Sequence, residues 1–440
     1  MNKKLTFSWL LLGLGSQLQV VFSLSISEVL VLLAAPFLLM SEIPYMRKHG
    51  VMPFFNMTVL LFIGCIASLI VNNAEYYQVI RGVAITVILI CTVVVGHYMI
   101  RVNPCGLKWY FIGVMLSNFV CIFVFQRSVE VTMAHGTDVS SIMSGPLFWI
   151  QRLGSVMITP IQAFYLKIPL AYSVLAPLFL AFFSILTTES GRSASLSFFA
   201  AATIVMLGRK KQRFMMIFER YFLVLFFIAI VCVFAIKTGY EWAALNDFLG
   251  EKARTKYEQQ TAGGTGIVKL LIGGRADSFV GLLAAVDSPF LGKGYWASDT
   301  EGYYEEFLAK YGSSEDYKTY IETMQYYARK GIAVNKMISC HSHITSFWVW
   351  YGLPGLLFWL YVIYVVYKFL RNDVHVVPQW FYWLVAGVPG FIWHVLFSPF
   401  NNRIGVPLYV IAMLMARAVR MGRYQLPFEM IREIEETERR

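Results

Sequence analysis

Residues 79–100 read VIRGVAITVILICTVVVGHYMI, and the chain turns basic directly after them, from Arg101 to Lys108. A helix needs about 20 consecutive apolar residues to cross the hydrocarbon core of a bilayer. Runs of this kind recur along most of the 440 residues, of which 58% are hydrophobic and 14% charged. Soluble domains carry roughly 25% charged residues. The composition therefore predicts an all-α, polytopic membrane protein. Lys3-Lys4 before the first apolar run imitates a signal peptide, but no small-residue cleavage site follows, so the first helix is expected to be retained.

Further spans are expected near 5–22, 26–42, 54–72, 109–126, 168–188, 193–208, 221–237, 344–368, 379–397 and 404–419. The formal charge of +11 does not point to nucleic acid, because it sits in short turns. These are Arg47-Lys48, Arg101 to Lys108, Arg209-Lys210-Lys211 with Arg213, Lys368 with Arg371, and Arg417, Arg420 and Arg423. Such turns face the cytoplasm. Eleven spans would put Arg209 outside. One more crossing is expected at Leu147 to Leu166, giving about twelve spans with both termini inside. An interfacial helix with Arg152 among the headgroups is the alternative for that segment.

One large excursion remains, Gly239 to His343. It carries eleven Lys/Arg against thirteen Asp/Glu, so it is near neutral and expected to be periplasmic. Short helices are expected within it. Glu241 to Glu258 is mixed and polar, and Thr261 to Gly274 is glycine-rich without the Gly-Lys-Ser/Thr of a P-loop. Arg275 to Val286 has helical period and ends at Pro289 and Gly292. Tyr317, Tyr320, Met324 and Tyr327 share a helix face, suited to sugar stacking or to plain packing. Of the six cysteines only Cys340 falls in this loop, which excludes an intraloop disulfide.

The loop ends in Cys340-His341-Ser342-His343. A zinc site needs about three protein ligands, and no third spacing is visible. Adjacent Cys340 and His341 side chains diverge, which disfavours a nucleophilic pair. A general base needs only one histidine, and Ser342 is placed to cap the apolar helix that follows. The twelve-span arrangement also puts Arg81, Arg152, Arg192, Arg275 and Arg403 on or near the outer face, against the charge bias. Charges at such depth are costly and point to function, and guanidinium forks match phosphate oxygens. A snorkelling arginine is the plain alternative for each.

Further features converge on a known family. Leu186-Thr187-Thr188-Glu189-Ser190-Gly191-Arg192 leads into a short span. Gly273-Gly274-Arg275 and Asp287-Ser288-Pro289-Phe290-Leu291-Gly292-Lys293-Gly294 follow in the loop. His341-Ser342-His343 then precedes Gly352-Leu353-Pro354-Gly355. In order and topology, about Phe164 to Tyr409 resembles the O-antigen ligase/polymerase superfamily. The family's histidine is followed by asparagine. Here Ser342 takes that place, and both His341 and His343 stay candidates. Gly294-Tyr295-Trp296-Ala297, Ser398-Pro399-Phe400 and Arg403 look more like the exopolysaccharide and O-antigen polymerase branch than the lipid A-core ligases.

The resemblance implies N-terminal transmembrane helices over 1–166 and a catalytic membrane domain over 167–440, with the periplasmic loop at 239–343. It implies a glycosyltransferase of the bacterial inner membrane that joins undecaprenyl-diphosphate-linked glycan units at the periplasmic face, without metal or cofactor. His341, or secondly His343, would be the base. Arg275 and Arg192 would hold the diphosphate, with Arg152, Arg81 and Arg403 as further candidates. A flippase and a chain-length regulator are the implied partners besides the bilayer. A ligase acting on lipid A-core has the same chemistry with another acceptor. A polysaccharide transporter would need broken helices and internal repeats, and no repeat is visible.

Overall fold

The computed structural model describes residues 3–16, 18–21, 24–123, 276–311, 340–373, 378–398 and 403–427, with isolated positions within 238–254 and 318–338 and at 400. The expected spans at 147–166, 168–188, 193–208 and 221–237 lie outside the described residues, as do Arg152, Arg192, Arg275, the glycine-rich stretch to Gly274, and Tyr317, Tyr320, Met324 and Tyr327.

The described chain is mostly helical. Helix α1 (Lys3–Leu14) is followed by a two-stranded antiparallel hairpin, β1 (Gln19–Val21) and β2 (Leu24–Ser25). Then come α2 (Ile26–His49), α3 (Met52–Val71), α4 (Tyr76–Val102) and α5 (Leu107–Phe123). The loop contributes α6 (Ala276–Asp287) and α7 (Tyr303–Tyr311). The C-terminal part holds α8 (His343–Tyr351), α9 (Leu353–Lys368) with a π-helical turn over Phe369–Asp373, α10 (Pro378–Phe397) and α11 (Gly405–Arg420). Among the described residues, four helices are long and apolar enough to cross a membrane: Ile26–His49, Met52–Val71, Tyr76–Val102 and Leu353–Asp373.

Two expected spans take another form. The run 5–22 is helical only to Leu14, about 18 Å of rise, before the chain enters the hairpin. That falls short of the roughly 30 Å core. Helix α1 instead lies against α5. Gly13 faces the Tyr110 carbonyl and Gly113 faces the Leu10 carbonyl, so the two backbones approach with no Cβ between them. Trp9 donates its indole N–H to the Asn103 carbonyl at 3.0 Å. The run 344–368 is also broken. Gly352 adopts φ 64 and ψ −147, which ends α8 and begins α9 in a new direction. The observed break is a reversal, because Gly355 sits against the Phe347 carbonyl and the Phe347 and Phe358 rings stack at 5.8 Å.

The N-terminal and C-terminal helices form one bundle. Ser68 of α3 donates to the Trp350 carbonyl at 2.8 Å, and Gly64 lies against Pro354. Gly96 of α4 accommodates Leu408 and Ile411 of α11. The described basic turns gather at one end. Arg423 reaches Gly50, the left-handed cap of α2 beside Arg47 and Lys48. The Tyr424 hydroxyl donates to the Arg101 carbonyl at 3.0 Å, and Arg420 pairs with the buried Asp373.

Just inside that end, four polar side chains are buried together. His97 Nδ1 lies 2.8 Å from a Glu42 oxygen, and its Nε2 lies 3.0 Å from His49 Nδ1. Arg101 forks onto the same carboxylate, and its guanidinium covers the Tyr45 ring at 4.0 Å. Glu42 and His97 are fully buried. Membrane helices retain such charges when each is partnered. Glu42→Ala should therefore strip the partner from Arg101 and His97 and cost about 3 kcal/mol or more. Thermal unfolding of detergent-solubilised protein measures this. A melting temperature unchanged from wild type would mean that the network does not hold α2 to α4.

Candidate functional site

The opposite end of the bundle is where the loop docks. Its central contact joins two of the glycine motifs. The Lys293 N–H donates to the Val349 carbonyl at 2.6 Å, and the Leu353 N–H donates to the Phe290 carbonyl at 3.1 Å. The Trp348 indole donates to the Pro289 carbonyl at 3.0 Å. Gly292 (φ 70) and Gly352 (φ 64) both take the left-handed region. A Cβ on Gly292 would stand 2.5 Å from the Val349 carbonyl, and one on Gly352 would meet the Phe290 carbonyl. Two side chains further tie this strap to α3 and α4. Asn72 donates to the Gly292 carbonyl and Gln78 to the Trp296 carbonyl, each at 3.1 Å.

The histidines sit at the other end of α8. Ser342 caps the helix, as the sequence predicts, accepting from the Thr345 N–H at 3.3 Å. Its hydroxyl also donates to the Val395 carbonyl of α10 at 3.1 Å, which the sequence does not show. His343 is 3% exposed. Its ring contacts Trp359 at 4.9 Å and Phe400 at 5.2 Å, and stacks on His394 at 6.5 Å. His341, one residue before the cap, stays partly exposed. The Nδ1 atoms of both are shielded from solvent. Trp359 lies seven residues beyond Gly352, so the histidine end of α8 is set back along α9 by about 10 Å from the Gly352 bend.

Of the five arginines, the structure describes two. Arg81 is exposed on the first turns of α4, with its guanidinium 5.4 Å from the centre of the Trp296 ring. No carboxylate pairs with it among the described residues. Arg403, before α11, is bound to Glu28 of α2 at 3.3 Å. Glu28 is itself held in a capping box with Ser25. Both arginines act on Tyr295, a buried loop phenol. Burial pushes it up to about 12, and the fields of Arg403 and Arg81 oppose that rise. Arg81, Arg403 and Tyr295 therefore share one end of the bundle with the histidine helix.

Three features escaped the reading of the sequence. Trp296 has φ 55, rare for a bulky residue and a mark of local strain. Its place in Gly294-Tyr295-Trp296-Ala297 was visible, but its backbone was not. Glu28 and His394 carried no signal, because each meets its partner only through the fold. Lys293, inside a quoted motif, is already neutralised. It pairs with Asp287 at 2.6 Å and Glu301 at 2.8 Å, and the Tyr303 hydroxyl donates to Asp287 at 2.7 Å. The hydrogen bond from Lys293, then that from Tyr303, holds the Asp287 carboxyl below its ordinary value. This cation anchors the loop.

Gly352→Ala should displace the strap, because the new methyl group meets backbone. The left-handed strain alone costs about 1–3 kcal/mol. Gly422 has the same sign of φ (67) in open space, so Gly422→Ala should cost less. Melting temperatures of the two variants compare them, and an equal loss would deny the close contact its role.

No known protein family, curated protein or solved structure matches this chain, so its chemistry has to be read from its own residues.

Proposed function

We propose that the chain is a multi-pass glycosyltransferase of about twelve spans in the bacterial inner membrane. It joins undecaprenyl-diphosphate-linked glycan units at the periplasmic face. The observation that carries this reading is an asymmetry of charge. The described basic turns hold one end of the bundle. The other end carries His341, Arg403 and an exposed Arg81 with no carboxylate partner among the described residues. The positive-inside rule makes the basic end cytoplasmic. The loop end then faces the periplasm, where a lipid diphosphate would present its charge at headgroup depth.

The reaction needs little from the protein beyond placement. A lipid diphosphate is already an activated leaving group. His341 Nε2, when neutral, takes the proton of an acceptor hydroxyl as its oxygen attacks the anomeric carbon. The new C–O bond forms as the anomeric carbon–diphosphate bond breaks, and the departing diphosphate keeps the electron pair. Arginines placed beforehand stabilise that growing charge. Arg81 supports this role best among the described residues, since Arg403 is already bound to Glu28. Arg275, Arg192 and Arg152 belong to the same proposal. The exposure of His341 favours it as the base over His343, which is packed in the aromatic cluster.

His341→Ala should abolish glycan elongation while lipid-linked donor still binds. Arg81→Ala should slow elongation by about 10²-fold. Arg81→Lys should rescue it poorly, because a point charge does not reproduce a bidentate fork. Accumulated single repeat units in a deletion strain would mark a polymerase, and accumulated free lipid-linked polymer a ligase. Normal elongation by both His341→Ala and His343→Ala would refute the general-base assignment.

Orientation is tested separately. Reporter domains fused after Arg423 and within the loop at Lys310 should report opposite sides, cytoplasmic and periplasmic. The same side for both would dissolve the proposed face.

A further inference from the structure

The loop that docks on the bundle has an apolar side. On α6, Leu282 and Val286 are exposed at i and i+4, the spacing of one helix face. The turn that follows exposes Phe290 and Leu291. Val286 is 61% exposed and Phe290 70%. Left in water, each such side chain forgoes the gain of removing its apolar surface from solvent.

Their neighbours say what covers them. The Phe290 carbonyl is bonded to the N–H of Leu353, the first residue of α9. Leu353 heads a stripe of exposed side chains on that helix: Leu353, Leu357, Leu360, Tyr364 and Tyr367. Steps of four, three, four and three residues keep them on one face. The helix is long and apolar enough to cross a membrane, so this exposed stripe is suited to lipid contact. Through its backbone bond to Leu353, the exposed Phe290 adjoins the head of this stripe.

The same turn also carries an ionic cluster. Lys293, Asp287, Glu301 and Tyr303 form one hydrogen-bonded cluster, with both carboxylates about half exposed. One segment thus carries an apolar edge in line with the lipid belt and a charged edge that demands water. At 12 residues, α6 rises about 18 Å, too short to cross the core. A short helix with one face packed on the protein and an apolar face left exposed is suited to the interface plane.

We propose that α6 and the Pro289–Leu291 turn are embedded in the interfacial layer of the bilayer at the loop end of the bundle, with the boundary between headgroups and acyl chains as their partner. The loop is then a ledge resting on lipid. The ionic cluster marks its water line, and Phe290 is its deepest anchor. This placement does not rest on the proposed activity, and holds for any function of the chain.

The test is photocrosslinking of the full chain. p-Benzoylphenylalanine replaces Phe290, Val286, Leu357 or Lys310 in protein reconstituted into phosphatidylethanolamine and phosphatidylglycerol vesicles, and adducts are identified by mass. Positions 290 and 286 should capture phospholipid with yields comparable to position 357 on the lipid-facing stripe. Position 310, exposed on the polar helix α7, should capture none. Because all four side chains are at the surface, the replacements leave the core packing untouched. Capture of a second copy of the chain at 290 and 286, or no phospholipid adduct at either, overturns the proposal. A phospholipid adduct at 310 equal to that at 290 would also overturn it, since the ledge would then have no watery side.

Discussion

The described structure depends on one close backbone contact, that between Phe290–Lys293 of the loop and Val349–Leu353 at the bend between α8 and α9. It requires two glycines in the left-handed region facing one another, with carbonyl oxygens where side chains would be. Buried backbone groups must be hydrogen-bonded, and in a lipid surround an unpaired one is costlier still. Here the loop supplies the partners for the bend, and the bend supplies them for the loop. From this junction the other placements follow. Helix α8 folds back along α9, its histidine end meets α10 and Phe400, and the strap beyond Gly292 carries Tyr295 and Trp296 onto α4.

The two ends of the bundle use charge in opposite ways. At the basic end, the buried Glu42 carboxylate is saturated by Arg101 and His97, and Asp373 by Arg420. Those partners are structural, and the charge of Arg101 and Arg420 is spent within the protein. At the loop end, Arg403 is likewise spent on Glu28, whereas Arg81 rests on an aromatic ring. A guanidinium over an aromatic face keeps its in-plane N–H groups available for an oxyanion. That difference separates a guanidinium able to bind a substrate anion from one that holds helices together. It cannot be told from where an arginine falls along a hydrophobic run.

The reading of the chain as membrane-embedded was secure from periodicity, because an apolar run of bilayer length has few other stable homes. The helices at 26–49, 52–71 and 76–102 cover their runs, and the first stays helical through Pro36 and Pro44 to seven residues beyond the expected end. Where the reading erred, a local signal lost to a tertiary one. The first run stops at Leu14 although apolar residues continue, and Gly13 and Gly113 let the short helix lie on α5. The run from Ile344 looks continuous, yet Gly352 reverses it, because the Phe290 carbonyl occupies the space a straight helix would need.

What the sequence determined by itself is what depends on composition and neighbours along the chain. That includes membrane residence, the clustering of basic turns, the cap at Ser342 and the glycine motifs as sites of unusual backbone. What only the tertiary structure decided is which of these meet. It paired Gly292 with Gly352, gave Glu28 to Arg403, set Trp296 beneath Arg81, and enclosed His343 in aromatic rings while leaving His341 open. The physical reason is that partnership across 50 to 375 residues leaves no trace in local pattern. Periodicity records which face of a helix is apolar, but the charge or ring it will meet is chosen only when the helices pack.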